Sequence, residues 1–155
     1  MALTPSTMLP LQHRAPGFNL LDVIHQENIL LTELMGTKVT LVVFMCNHCP
    51  FVIHLLEHFN RLADEFKSQG IATTAISSND IENYPQDGPQ QMIAPCKEYG
   101  ISFPYLYDPT QEVAKAYDAA CTPDFSSLMM KVNWCIVGDM MHQDLNRVSQ
   151  SLGKI

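Results

Sequence analysis

The stretch that most constrains this chain is residues 39–45, VTLVVFM, a near-continuous run of β-branched and apolar side chains. A strand with one wet face alternates apolar and polar residues; a strand covered on both faces, as between the helices of a parallel sheet, does not. The run therefore predicts the central strand of an α/β sheet. Directly after Cys46-Asn47-His48-Cys49-Pro50, the residues Phe51, Val52, Leu55, Leu56, Phe59, Leu62, Ala63 and Phe66 recur at the three-and-four spacing of one helical stripe, and Gly70 is placed to end that helix. Residues 71–76, IATTAI, read as the next strand, so that strand, helix and strand make a right-handed βαβ unit.

The flanks follow the same alternation. Residues 15–36 carry short apolar pieces punctuated by Pro, Gly and Asn and predict short strands with one turn. Beyond a polar loop at 79–88 the sequence predicts a helix over 89–99, a short strand over 103–107 and a helix over 110–117. The division expected is a loose arm at 1–14, one domain at 15–125 and a divergent tail at 126–155. At 155 residues and 46% hydrophobic content, one domain buries roughly two-thirds of its unfolded-chain surface, and two large domains are excluded.

Charge and cysteine usage narrow the function. Nine Lys plus Arg against sixteen Asp plus Glu leave a net charge of −7, the opposite of the basic stripe that a phosphate backbone attracts, so nucleic acid is not an expected partner. No window reaches about 18 uninterrupted apolar residues, and the first residues lack the pattern of a secretory signal. The expectation is a cytoplasmic protein with no membrane partner. Five cysteines at 46, 49, 96, 121 and 135 are an odd count without regular spacing, unlike a secreted disulfide framework.

The chemistry sits where the central strand meets the helix. A thiol at a helix N-terminus faces unpaired N–H groups and the positive end of the macrodipole, so Cys46 is expected to have a lowered pKa and to act as the nucleophile. With two residues between them, Cys49 can reach the first sulfur and resolve a mixed disulfide. His48 adds a second cation that favours the thiolate. A lone CxxC is otherwise half of a zinc site, or a pair of buried thiols. Zinc takes two more ligands, and no second CxxC exists. His54-Leu55-Leu56-Glu57-His58 matches a zinc-peptidase pattern, but lies opposite the apolar stripe and reads as a solvated face.

Ala15-Pro16-Gly17-Phe18, the segment from Val43 through the CNHCP motif to Val52, Ser77-Ser78-Asn79-Asp80, Tyr84-Pro85-Gln86-Asp87, Phe103-Pro104-Tyr105-Leu106-Tyr107-Asp108 and Cys121-Thr122-Pro123-Asp124-Phe125 together resemble the thioredoxin-like proteins of the alkyl hydroperoxide reductase and thiol-specific antioxidant group. The resemblance implies a thioredoxin-like fold: a central mixed β-sheet flanked by helices, with the CxxC at the head of the first long helix. It implies a thiol-disulfide oxidoreductase with Cys46 attacking, Cys49 resolving, and Thr122-Pro123 as a cis-proline loop that shapes the substrate groove. Asn47, His48 and Pro50 support the pair. Cys121 would lie near Cys46, as an additional resolving thiol or as a small buried hydrophobe. Partners would be a protein or small-molecule disulfide and a thiol electron donor, with no metal and no organic cofactor.

Two departures bear on the alternatives. Peroxiredoxins carry a Thr three residues before the attacking Cys; here Val43 stands there, which favours disulfide exchange over thiol-dependent peroxidase activity. Thioredoxin keeps a buried acid in the strand beneath its CxxC, whereas residues 39–45 hold none, leaving the proton acceptor for Cys49 unassigned. A non-catalytic redox-sensing or metal-binding module is the remaining alternative.

After Phe125 the resemblance stops, and the C-terminal hairpin is expected to be aberrant. Building each codon from the last base of one printed codon and the first two of the next permits DFFLFDDESELVYRGRYDASRPEPG, which resembles the missing family hairpin. The tail is therefore read as frameshifted, with genuine divergence as the alternative; the coding DNA across codons 120–155 distinguishes them, since an uninterrupted frame in close relatives would refute the shift. Val132, Trp134 and Ile136 alternate, so residues 131–137 can still pair as a strand, with Cys135 and Trp134 carrying no function.

Overall fold

A computed structural model describes Thr7, residues 14–129 and the backbone of Trp134–Val137. Seven strands form one mixed sheet: β1 (Asn19–Asp22), β2 (Glu27–Leu30), β3 (Val39–Phe44), β4 (Ile71–Ser77), β5 (Tyr105–Tyr107), β6 (Asp124–Met129) and β7 (Trp134–Val137), in the order β2-β1-β5-β4-β3-β6-β7. Among the described residues there are three α-helices, α1 (Pro50–Lys67), α2 (Pro89–Glu98) and α3 (Glu112–Ala116). β3, β4 and β5 run parallel, while β6 pairs antiparallel with β3, and β1 with β5.

Strand β3 is buried along its whole length, as its composition requires. Its alternation divides the molecule into two cores. Leu41, Val43 and Met45 join Val52, Leu56, Phe59 and Ala63 of α1 and Met92 and Cys96 of α2 on one face. Val42 and Phe44 join Leu106, Tyr117 and Leu128 on the other, with Val113 and Ala114 of α3 packed against them. Phe59 meets Phe103 and Phe125 edge-on, at centroid separations of 5.3 and 5.8 Å. Losing a buried ring of this kind costs about 3–5 kcal/mol.

Several boundaries differ from the sequence expectation for local reasons. Residues before proline are held extended, so Cys49 (φ −70, ψ 119) caps α1 from outside and the helix starts at Pro50, where the missing N–H costs nothing. Phe51, assigned to the buried stripe, is 53% exposed; the stripe that packs is Val52, Leu56, Phe59, Asn60, Ala63 and Phe66. The predicted 103–107 strand is shortened to Tyr105–Tyr107, although Pro104 still offers its carbonyl to the N–H of Ala75. α3 is shorter than 110–117 because Gln111, at φ 60, lies outside it.

The predicted tail begins within β6, whose register with β3 runs through Val39↔Met129. β7 pairs antiparallel with β6 from Ser126↔Val137 to Met129↔Trp134, at this edge of the sheet. The expectations for residues 130–133, for 138–155 and for the side chains of Trp134 and Cys135 fall outside the described residues. So does the N-terminal arm at 1–14, apart from Thr7 and Arg14. Among the described residues, no helix is long and apolar enough to cross a membrane.

Gly36 offers a sharp test of this packing. A Cβ there would meet Val39 O at 2.2 Å, Ala72 N at 2.6 Å and Gly70 O at 2.9 Å, all backbone atoms that cannot turn aside. Gly36→Ala is expected to lower stability by about 1–3 kcal/mol or more in urea unfolding. Gly17→Ala, where nothing lies within 4 Å, should change it little by comparison.

Candidate active site

Sheet order assembles the site. β3 lies between β4 and β6, so the loop leaving β3, the loop leaving parallel β4 and the segment entering antiparallel β6 meet at one end of the sheet. The first carries Cys46-Asn47-His48-Cys49, the second Asn79, Tyr84 and Asp87, the third Thr122 and Pro123. The Thr122-Pro123 peptide is cis, as the resemblance implied.

Both sulfurs converge on Thr122. Cys46 Sγ lies 3.3 Å from Thr122 Oγ1, and the Cys49 thiol donates to Thr122 O at 3.3 Å. Cys46 is 2% exposed, whereas Cys49 is half-buried. Cys121, also half-buried, turns its thiol towards Pro123 O at 3.9 Å. Cys96 is buried in α2, away from the motif in sequence, and burial pushes its thiol up to about 11. His54 and Glu57 of the zinc-peptidase pattern are exposed.

The expected fall in the Cys46 pKa is corrected by the structure. Burial pushes the thiol up, and the charge of Asp87 acts in the same direction; the hydrogen bonds from Thr122 and from the Cys49 backbone pull it down, but the net shift is upward. The physical reason is position. Cys46 precedes the helix by a full turn and sits beneath the surface, so desolvation outweighs what the helix end supplies.

Sequence reasoning missed the group that organises the motif. Asp87, fully buried in a 3-10 turn at Pro85–Asp87, accepts from Asn47 N at 2.8 Å through Oδ1, and through Oδ2 from His48 Nδ1 at 2.6 Å and from Asn79 Nδ2 at 2.9 Å. Asn47 also donates to Gln86 O at 2.8 Å, and its Oδ1 accepts from the Tyr105 hydroxyl at 3.1 Å. Burial keeps Tyr105 protonated, its pKa well above the ordinary phenol value. Tyr84 stacks on His48 with centroids 4.7 Å apart and planes 4° from parallel. The signal available was the polar loop itself, since its residues belong to the resemblance.

Cys46 Sγ, a His48 ring nitrogen and an Asp87 oxygen lie within 4.8 Å of one another. Structural zinc takes four donors. This trio supplies three, and the carboxylate already accepts three hydrogen bonds, so the arrangement is a hydrogen-bonded cluster rather than a cation cradle.

A model of the AhpC/TSA family matches residues 11–141. The chain belongs to the AhpC/TSA family. The match extends on both sides of the 15–125 segment that carries the resemblance. This AhpC/TSA chain is 32% identical over 97 residues to the thiol-disulfide oxidoreductase ResA of Halalkalibacterium halodurans, an alignment that covers 63% of this chain and 51% of ResA. The chain thus spans about half the length of that relative. An uncharacterised conserved protein of Geobacillus kaustophilus superposes with a TM-score of 0.87 at 44% identity, over 92% of this chain and 75% of that one. The thioredoxin domain of a thiol-disulfide oxidoreductase from Bacteroides vulgatus superposes with a TM-score of 0.71 at 17% identity, over 93% and 99%. The fold is thioredoxin-like, as expected from the sequence.

A thiol whose pKa is raised on folding stabilises the native state below its ordinary value near 9.0; that contribution is lost as pH rises through the native value. Thr122→Val removes a hydrogen bond that lowers the Cys46 pKa. The Cys46 titration, followed by pH-dependent alkylation and mass spectrometry, should move further upward in this variant, with alkylation at pH 7 slowed about threefold to tenfold. An unchanged titration would contradict the assigned bond.

Proposed function

We propose that this AhpC/TSA chain is a thiol-disulfide oxidoreductase in which Cys46 attacks and Cys49 resolves. The observation that carries the reading is the convergence of both sulfurs on Thr122 beside a cis proline, one through its hydroxyl and one through its carbonyl. The relatedness to a named thiol-disulfide oxidoreductase supports it.

The Cys46 thiolate attacks a substrate disulfide, one substrate sulfur leaves as thiolate and takes a proton, and a mixed disulfide remains on Cys46. Cys49 then attacks Cys46, freeing the second substrate thiol and leaving a Cys46–Cys49 disulfide. A thiol donor returns the pair to the dithiol. Thr122 and Pro123 form the wall against which the substrate chain lies, and the proposed substrates are protein or small-molecule disulfides in a reducing, cytoplasmic setting. Val43, 1% exposed and in the position of the peroxiredoxin Thr, supports exchange over peroxide reduction.

Insulin reduction in the presence of a dithiol tests the assignment. Cys46→Ser is expected to abolish activity above the uncatalysed rate, and Cys49→Ser to accumulate a mixed disulfide on Cys46 visible as a mass adduct. Undiminished activity in Cys46→Ser would overturn the reading.

A further inference from the structure

A buried nucleophile that the helix end does not ionise needs somewhere to put its proton. β3 supplies no acid, and the buried carboxylate of Asp87 lies within 4.8 Å of Cys46 Sγ. It does not face the sulfur alone. Its Oδ2 receives the Nδ1–H of His48, an imidazole with 33% side-chain exposure, stacked on Tyr84 and therefore fixed in its plane. With Nδ1–H committed to the carboxylate, the neutral ring keeps its basic lone pair on Nε2. A ring nitrogen of His48 lies within 4.8 Å of Cys46 Sγ.

We propose that His48 and Asp87 act as a dyad for thiol exchange at Cys46, His48 taking and returning the proton and Asp87 positioning the ring and stabilising its charged form. This rests on the disulfide-exchange reading above and names the group that takes the Cys46 proton. The balance is closed. The Cys46 S–H bond breaks, its proton passes to His48, and the sulfur forms a bond to one substrate sulfur as the substrate S–S bond breaks. The departing thiolate then takes the proton from the imidazolium. No oxidant or reductant beyond the disulfide and the dithiol enters.

The electrostatics are consistent with that role. A neutral imidazole leaves the Asp87 charge uncompensated near the thiol, which favours S–H; an imidazolium cancels it and favours the thiolate. Proton transfer within the cluster therefore creates its own stabilisation. The titratable groups around the dyad are Cys46 and Cys49 on the motif loop, Tyr84 on the loop after β4, Tyr105 from β5, reached through Asn47, and Cys121 beside the cis proline. Tyr105 remains protonated, so its hydroxyl acts as a fixed donor.

The test is the pH profile of stopped-flow reduction of an aromatic disulfide by the reduced protein, for wild type, His48→Gln, Asp87→Asn and the double variant. Wild type is expected to show a pH-dependent limb that requires the imidazole of His48. Each single variant should flatten that limb and slow exchange at pH 7 by about tenfold to a hundredfold, and the double variant should be no slower than the worse single one, because the pair acts as a unit. Profiles that superimpose on wild type, or losses that multiply in the double variant, would overturn the dyad. Should Asp87→Asn fail to fold, His48→Gln decides alone, since its ring is partly at the surface; a wild-type limb in that variant would refute the proposal. A wild-type protein that forms no Cys46–Cys49 disulfide when its dithiol is treated with diamide would instead sink the exchange reading itself.

Discussion

The carboxylate of Asp87 holds the CNHC loop in its shape. An ionised group taken wholly out of water survives only if hydrogen bonds replace its solvent, and here a backbone N–H, an imidazole and a carboxamide do so at 2.6–2.9 Å. Those three donors come from both the motif and the loop after β4. The same bonds that neutralise the buried charge therefore fix where Asn47 and His48 stand relative to Cys46. Removing the carboxylate strands three donors at once, which is why its effect reaches every part of the motif.

The sheet provides the frame on which that arrangement depends. Because β3 is covered on both faces, its residues alternate between two cores and its end can move only with the helices that cover it. β6 lies beside it in a register that sets Phe44 opposite Asp124. Asp124 is itself buried and accepts from Ala120 N at 3.0 Å, tying the start of β6 to the turn before the cis proline. Position at the site is thus inherited from packing some distance away.

Much of this was legible in the chain. The unbroken run at 39–45 announces a strand without a wet face, and the spacing from Val52 to Phe66 announces the helix after it. The CNHC and Thr122-Pro123 segments identify the sulfurs and the loop they meet. What was not legible depends on three-dimensional proximity. Asp87 is 39 residues from His48, and no local pattern announces that a turn after β4 folds back under the motif. The direction of the Cys46 shift was misread for a related reason: sequence places the thiol near a helix start but says nothing of how deeply it is covered. Phe51 shows the converse, an apolar residue at a plausible stripe position that the first turn of the helix leaves in water.

The Cys49 thiol spends its only hydrogen on the carbonyl of Thr122. A sulfur in a disulfide has no hydrogen to give, so converting the pair to its S–S form leaves that oxygen without its internal donor. The carbonyl must then turn to water or to an amide of whatever chain lies in the groove. In the proposed exchange, the loop is a satisfied wall in the dithiol form and an unsatisfied one in the disulfide form.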